Sequence, residues 1–217
     1  EVPGCGGMSP GQRIVHQSDH PRRLLIAGNQ IGKTRALAAE VWWLALGRHP
    51  FRPTSPAPTI GWVMCADLKG GWVNFSSKLR EIQPPGVLHE SVVYDSARGY
   101  THRSVKMLRL ANGSIIVGKS GTQEVMALAG ATIDYLVIDE LPKQAHFAEA
   151  LTRVAVNGGP VLMSFTPIGR PCDWLRHHVE GDPNTGKPAT EEWDIQRITL
   201  SPENCPHRSV ESIDKQI

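Results

Sequence analysis

Residues 24–28 (LLIAG) form a short, unbroken apolar run of strand type, and residues 33–47 (KTRALAAEVWWLALG) follow with helical periodicity and a closing glycine. A proline-rich loop, RHPFRPTSPAP, separates this pair from a second buried strand at 59–65 (TIGWVMC). The spacing then predicts a helix from about Asp67 to Ile82, with Trp72 and Phe75 facing inward. SVKMLRL and SIIVGKS flank Ala111-Asn112-Gly113, and Asn-Gly between apolar runs is a strong hairpin signal. Further strands are expected at 133–140 (IDYLVIDE) and 160–167 (PVLMSFTP), with a helical stretch through Phe147 to Val154 between them. A surface loop, GDPNTGKPAT, precedes WDIQRITL and a polar amphipathic tail. Near-continuous apolar strands alternating with helices predict an α/β fold whose mainly parallel sheet is covered by helices on both faces. The hairpin is expected as an insertion on that plan.

Composition narrows the picture little. With 217 residues, 40% of them hydrophobic, one sizeable core is possible, and a net charge of +2 announces no nucleic-acid partner, so any DNA contact must come from a local patch. No apolar run approaches a membrane span and the opening EVPGCGGMSPGQ lacks the regions of a secretory signal, which points to the cytosol and to no membrane partner. Cys5, Cys65, Cys172 and Cys205 make no C-x-x-C pair, and Cys65 lies in an apolar run that reads as core. His16 and His20 have i, i+4 spacing but no further ligands complete a metal site, so both are expected on the surface, as are His177 and His178.

Candidate chemistry changes the picture most. Strand, glycine loop and helix at 24–47 are the setting of a phosphate loop, although Ala27 stands where the pattern G-x-x-x-x-G-K-[ST] has glycine and Gly28 arrives one residue late. In such a loop the backbone amides and the helix N-terminus hold phosphates, the lysine reaches the outer phosphates and the hydroxyl binds magnesium. Lys33 and Thr34 suit those roles, with Gly32 for the close turn. A hydrolytic ATPase also needs one carboxylate for the magnesium shell and another to activate water. Asp139 and Glu140, ending the run YLVIDE, supply both. Where the phosphate-sensing strand lies between the two motif strands, a polar side chain at its end can feel the γ-phosphate, and Thr166 in MSFTP is placed for that.

The order SPGQRIVH, LLIAGNQIGKT, the ANGSIIV hairpin, ATIDYLVIDELP, EALTR and VLMSFTPIGR resembles the ATPase domain of the large terminase subunit of tailed bacteriophages over about residues 8–180. The AGNQ-type loop is a variant that this family uses. The resemblance implies an ASCE-type P-loop NTPase that hydrolyses ATP with Mg2+ to drive double-stranded DNA into a preformed capsid. It implies a ring on the portal protein, a small terminase subunit as partner, and work in the cytoplasm of the infected host. Gln12 matches the family's adenine-contacting glutamine. The nucleotide-binding stretch maps onto Ala27, Gly28, Asn29, Gln30, Ile31, Gly32, Lys33, Thr34 and Arg35, with Thr34 and Asp139 as metal ligands, Glu140 as the catalytic glutamate and Thr166 as the coupling residue.

Departures from the family leave parts of this unassigned. Asn29 stands where some terminases have an arginine, and VMALAGATID lacks the arginine that many carry before the second motif strand. Arg98, Arg103, Arg153 and Arg170 remain as candidates for a finger reaching a neighbour's site. The expected motor domain covers 1–190, with 191–217 as a lid or linker. The family's nuclease region is expected beyond Ile217, and a first residue of Glu1 fits an excised chain, so no DNA cleavage is expected from it. Lys69, Lys78, Arg80, Arg103, Lys106, Arg109 and Lys119 form the pool for a sequence-blind DNA surface. Two other readings remain open: a helicase or translocase of another P-loop family, or a nucleotide-gated assembly module with negligible turnover.

Overall fold

In the computed structural model, residues 7–166, 174–175 and 195–201 are described. The apolar run after Arg22 is strand β1 (Arg22–Ala27), and the helix after the glycine loop is α2 (Lys33–Leu46), preceded in the chain by α1 (Pro10–Gln17). Strand β2 (Ile60–Cys65) leads to α3 (Gly71–Glu81). This helix starts later than the sequence suggests, because Asp67 Oδ1 accepts the amides of Lys69 and Gly70 in a tight turn and so delays helical hydrogen bonding. Strands β3 (Val92–Asp95) and β4 (Gly99–His102) form a separate antiparallel pair that the hydrophobic pattern does not signal.

The expected hairpin joins β5 (Met107–Arg109) to β6 (Ile115–Ser120), its turn closed by Leu110 and Ser114. Its second strand does more than decorate the plan: β6 runs parallel to β2 from Ile60↔Ile115 to Cys65↔Ser120 and is part of the central sheet. The remaining elements are β7 (Tyr135–Asp139), α4 (Gln144–Ala155), β8 (Val161–Phe165) and β9 (Gln196–Leu200). Together they give a seven-stranded sheet of order β5-β6-β2-β7-β8-β1-β9, parallel except for β5. Strand β9 falls in the segment expected as a lid or linker; Arg23↔Gln196 to Ala27↔Leu200 pair it with β1 as the last strand of the sheet. The rest of 191–217, apart from Ile195 and Ser201, lies outside the described residues.

Alternate side chains divide between two cores. Leu25, Val63, Cys65, Val137 and Leu162 pack under α2 and α3, while Leu24, Trp62, Met64, Leu136, Ile138 and Met163 pack under α4. Helices therefore cover both faces, as the apolar strands required. Strand β8 lies between β7 and β1, and all three run parallel, so their carboxyl ends lie side by side at one end of the sheet. None of the helices among the described residues is long and apolar enough to cross a membrane.

Candidate functional site

The loop between β1 and α2 turns sharply at Gln30 (φ 61°) and Gly32 (φ 93°). Glycine suits position 32 because the backbone there is left-handed, and a Cβ would stand 2.7 Å from Gln12 Nε2, so that side chain would have to shift. Gln12 itself is buried. It accepts the Ser9 amide at its Oε1 (3.0 Å) in a capping box for α1, and its Nε2 donates to Gly32 O (3.0 Å). The side chain expected to meet adenine thus bonds the backbone of the loop. The Ile31 side chain packs into the core under α2.

Lys33 folds back over its own loop, donating to Ala27 O (2.9 Å) and Gly28 O (2.6 Å). Burial lowers its pKa, against the opposing pull of Glu140 and Asp139. Thr34 Oγ1 donates to the Asp139 carboxylate at 3.2 and 3.3 Å, and Ser164 Oγ donates to Asp139 Oδ1 at 2.9 Å. Burial is the main cause that raises the Asp139 carboxyl to about 6. Thr166 Oγ1 donates to Glu140 Oε1 at 2.9 Å, and Glu140 is held at φ 69°, a left-handed backbone that is uncommon for a non-glycine residue. A cavity of about 640 Å³ opens here, lined by Asn29, Gln30, Gly32, Lys33, Thr34, Arg35, Glu140 and Thr166, and on its far wall by Asn74 and Lys78 of α3.

The fold brings most of the sequence-predicted cluster together. Residues separated by more than a hundred positions, Thr34 and Asp139, come within hydrogen-bonding distance, and an alcohol beside a carboxylate is the hard oxygen donor set that suits magnesium. Ser164, near the end of β8, is an addition to the predicted set; it lies two residues before Thr166, which follows directly after the strand. Asn74 and Lys78 carry no local sequence signal for this site, and Lys78 reads from the sequence only as a member of the DNA pool.

That pool does not make one patch. Arg80, on α3, lies over the Tyr94 ring at 4.4 Å, whereas Lys119 lies over Trp62 at 4.5 Å on the face beneath α4. Lys106 Nζ donates to Arg98 O. Of the finger candidates, Arg98 pairs with Asp95, Arg153 pairs with Glu149, and Arg103 sits at φ 48° in a turn, while Arg170 lies outside the described residues. His177 and His178 lie outside them too.

His16 corrects the surface reading. It is 1% exposed, with Nδ1 2.8 Å from Glu40 Oε1, because α1 packs against α2 and Glu40 draws its polar partners inward. Arg23 meets the same carboxylate with two bonds of 3.2 and 3.1 Å, joined by His49 Nε2 at 3.3 Å and by Arg52. This buried hub ties α1, β1, α2 and the segment after α2 together. No sequence signal marks it, since its members are far apart and each reads alone as an ordinary surface charge. His20 is only partly buried, with Nδ1 2.8 Å from Arg22 O.

The family model for the terminase large subunit, T4likevirus-type, N-terminal, matches residues 24–170. No curated protein matches the sequence. Among solved structures, the large terminase of a thermophilic bacteriophage superposes with a TM-score of 0.71 at 15% identity, covering 96% of this chain and 49% of that one. The same phage's large terminase in complex with ADP gives 0.67 at 13% identity over the same shares, 96% and 49%. The ATPase domain of the Thermus phage P74-26 large terminase gives 0.64 at 19% identity, covering 94% of this chain and 86% of that domain. The chain thus spans about half the length of the first of these terminases, and at these identities the likeness is one of fold.

Proposed function

The chain belongs to the large terminase subunits through their N-terminal region, and from that premise we propose that it is an ATP-hydrolysing motor domain that drives double-stranded DNA into a preformed capsid. The observation that carries this reading is the meeting of the start of α2 with the ends of β7 and β8: Thr34 and Ser164 on Asp139, and Thr166 on Glu140. Lys33 exchanges its loop carbonyls for the outer phosphates of ATP, and the loop amides take the rest. Thr34 and Asp139 would hold Mg2+, which when bound neutralises charge on the phosphates. Glu140, fixed by Thr166, orients the attacking water and takes its proton. When the γ-phosphate leaves, Thr166 is the contact through which β8 registers the loss.

Around this site we place double-stranded DNA, the portal, the small terminase subunit and neighbouring copies in a ring, in the cytoplasm of the infected cell. A neighbour's arginine would complete the site, and an arginine in trans is worth roughly 10³–10⁵ in rate. The deciding experiment compares Lys33→Ala with Glu140→Gln by nucleotide binding and phosphate release. Lys33→Ala should lose affinity; Glu140→Gln should bind ATP but hydrolyse it at least ~100-fold more slowly. Retained turnover in Glu140→Gln overturns the assignment, and negligible turnover by the unmodified chain at every concentration, with DNA and portal present, favours the assembly module instead.

A further inference from the structure

The cavity at the phosphate loop has a wall that the loop does not supply. Asn74 and Lys78, one turn apart on α3, face the same space as Lys33, Thr34, Glu140 and Thr166. Lys78 Nζ is held by Glu81 Oε1 at 2.5 Å, and the second oxygen of that carboxylate lies 3.5 Å from Arg35 Nη1, in the first turn of α2. One carboxylate therefore holds two cations at the rim of a cavity suited to a polyphosphate. The loop from Ala27 to Thr34 contributes a single cation, Lys33, with Asn29 and Gln30 at its middle.

We propose that Lys78 is a phosphate-contacting residue of this site, supplied from α3 of the same chain, and that Glu81 is the counter-ion from which bound nucleotide takes it. The inference rests on the nucleotide reading above. The side chains of Lys78, Glu81 and Arg35 are 42%, 40% and 40% exposed, so water screens their pairing and the ion pairs are weak. A triphosphate carries more charge than one carboxylate and offers several acceptor oxygens, so an ammonium on the cavity wall exchanges Glu81 for it readily. Lys33 is different: it is buried and bonded to its own loop whether or not α3 moves. Trp72, Phe75 and Leu79 fix α3 on the core, which leaves the Lys78 side chain, rather than the helix, to make the exchange.

The test titrates the protein with N-methylanthraniloyl-ATP and the corresponding ADP analogue. Lys78→Ala should weaken ATP-analogue binding about tenfold to a hundredfold, the range of a lost charge-assisted hydrogen bond, and Lys78→Arg should restore most of it. Glu81→Ala should tighten binding several-fold in the parent and clearly less in the Lys78→Ala background, where only Arg35 is left for it to release, a coupling that a purely structural role of Glu81 would not give. If Lys33→Ala abolishes binding while Lys78→Ala and Glu81→Ala leave it unchanged, Lys78 is only a surface ion-pair partner and the proposal is wrong. If Lys33→Ala also leaves binding unchanged, the nucleotide site itself is wrong and the proposal falls with it.

Discussion

Replacing Asp139 by asparagine should stabilise the nucleotide-free protein above neutral pH. Burial, reinforced by Glu140 and opposed by Ser164, Thr34 and Lys33, raises its carboxyl from 3.8 to about 6. A shift of roughly two pH units corresponds to ~3 kcal/mol, and partial exposure of the site brings the expected effect to ~1–3 kcal/mol. The folded state holds the proton more tightly than the unfolded state, so stability declines as pH rises from about 4 to about 6 and is level beyond. Asparagine does not titrate and keeps one acceptor oxygen, at the Oδ1 position that both Thr34 and Ser164 reach. At roughly 2–4 °C per kcal/mol for a chain of this size, Tm at pH 8 should rise on the order of 5 °C. Magnesium with ATP should reverse the order, since a ligand at a hundredfold excess over its Kd stabilises the parent by about 2.7 kcal/mol and the variant binds it poorly. Calorimetry at pH 5 and pH 8, with and without Mg-ATP, measures all four states. An apo variant less stable than the parent at pH 8, or a difference that fails to shrink at pH 5, refutes the reasoning.

Thr166→Val removes the hydroxyl that fixes Glu140, so phosphate release should fall ~10-fold or more while ATP affinity holds; equal loss of both would mean the valine disturbs the loop. Glu40→Ala leaves Arg23 and Arg52 with no counter-charge in a buried site and should cost ~3–5 kcal/mol, read as a lower urea midpoint. In the parent, burial pushes the Glu40 carboxyl up but the bonds from His16 and His49 and the charges of Arg23 and Arg52 outweigh it, holding it well below 4.5; burial likewise holds His49 below 6.5. Both groups bind protons more readily when unfolded, so their stabilisation is lost as pH falls, from near 6.5 for His49 and below 4.5 for Glu40. Gly61→Ala puts a Cβ into the Tyr135 ring on the neighbouring strand and should destabilise by ~1–3 kcal/mol, with Tyr135→Leu relieving most of it; no rescue would mean the two sites are not coupled.

Legibility in the sequence followed distance along the chain. The loop from Ala27 to Thr34 and the pair Asp139-Glu140 can be read because each sits at the end of an apolar run whose period announces a buried strand. Thr166 is legible for the same reason, and its strand does lie between the two motif strands in the sheet order. What escapes is held by partners far away or by polar patterns without periodicity. Tyr94 and Tyr100 anchor a strand pair whose other residues alternate too weakly to signal it. Glu40 looks like a helix-surface residue because burial of a polar side chain depends on partners that only the folded chain supplies. Lys78 looks like any solvated lysine until α3 is set against α2.

Strand β1 has no neighbour close to it in sequence. Its two partners are β8 and β9, and the nearer of them begins at Val161. A growing chain therefore emerges with the phosphate-loop strand complete but unpaired, and closing a loop of that length carries an entropic cost that slows folding. Glu140 has no Thr166 to hold it until the same late stretch has been synthesised. The site is thus among the last features to form, and ribosome-bound chains that stop short of β8 should bind no nucleotide even though every residue of the phosphate loop is already present.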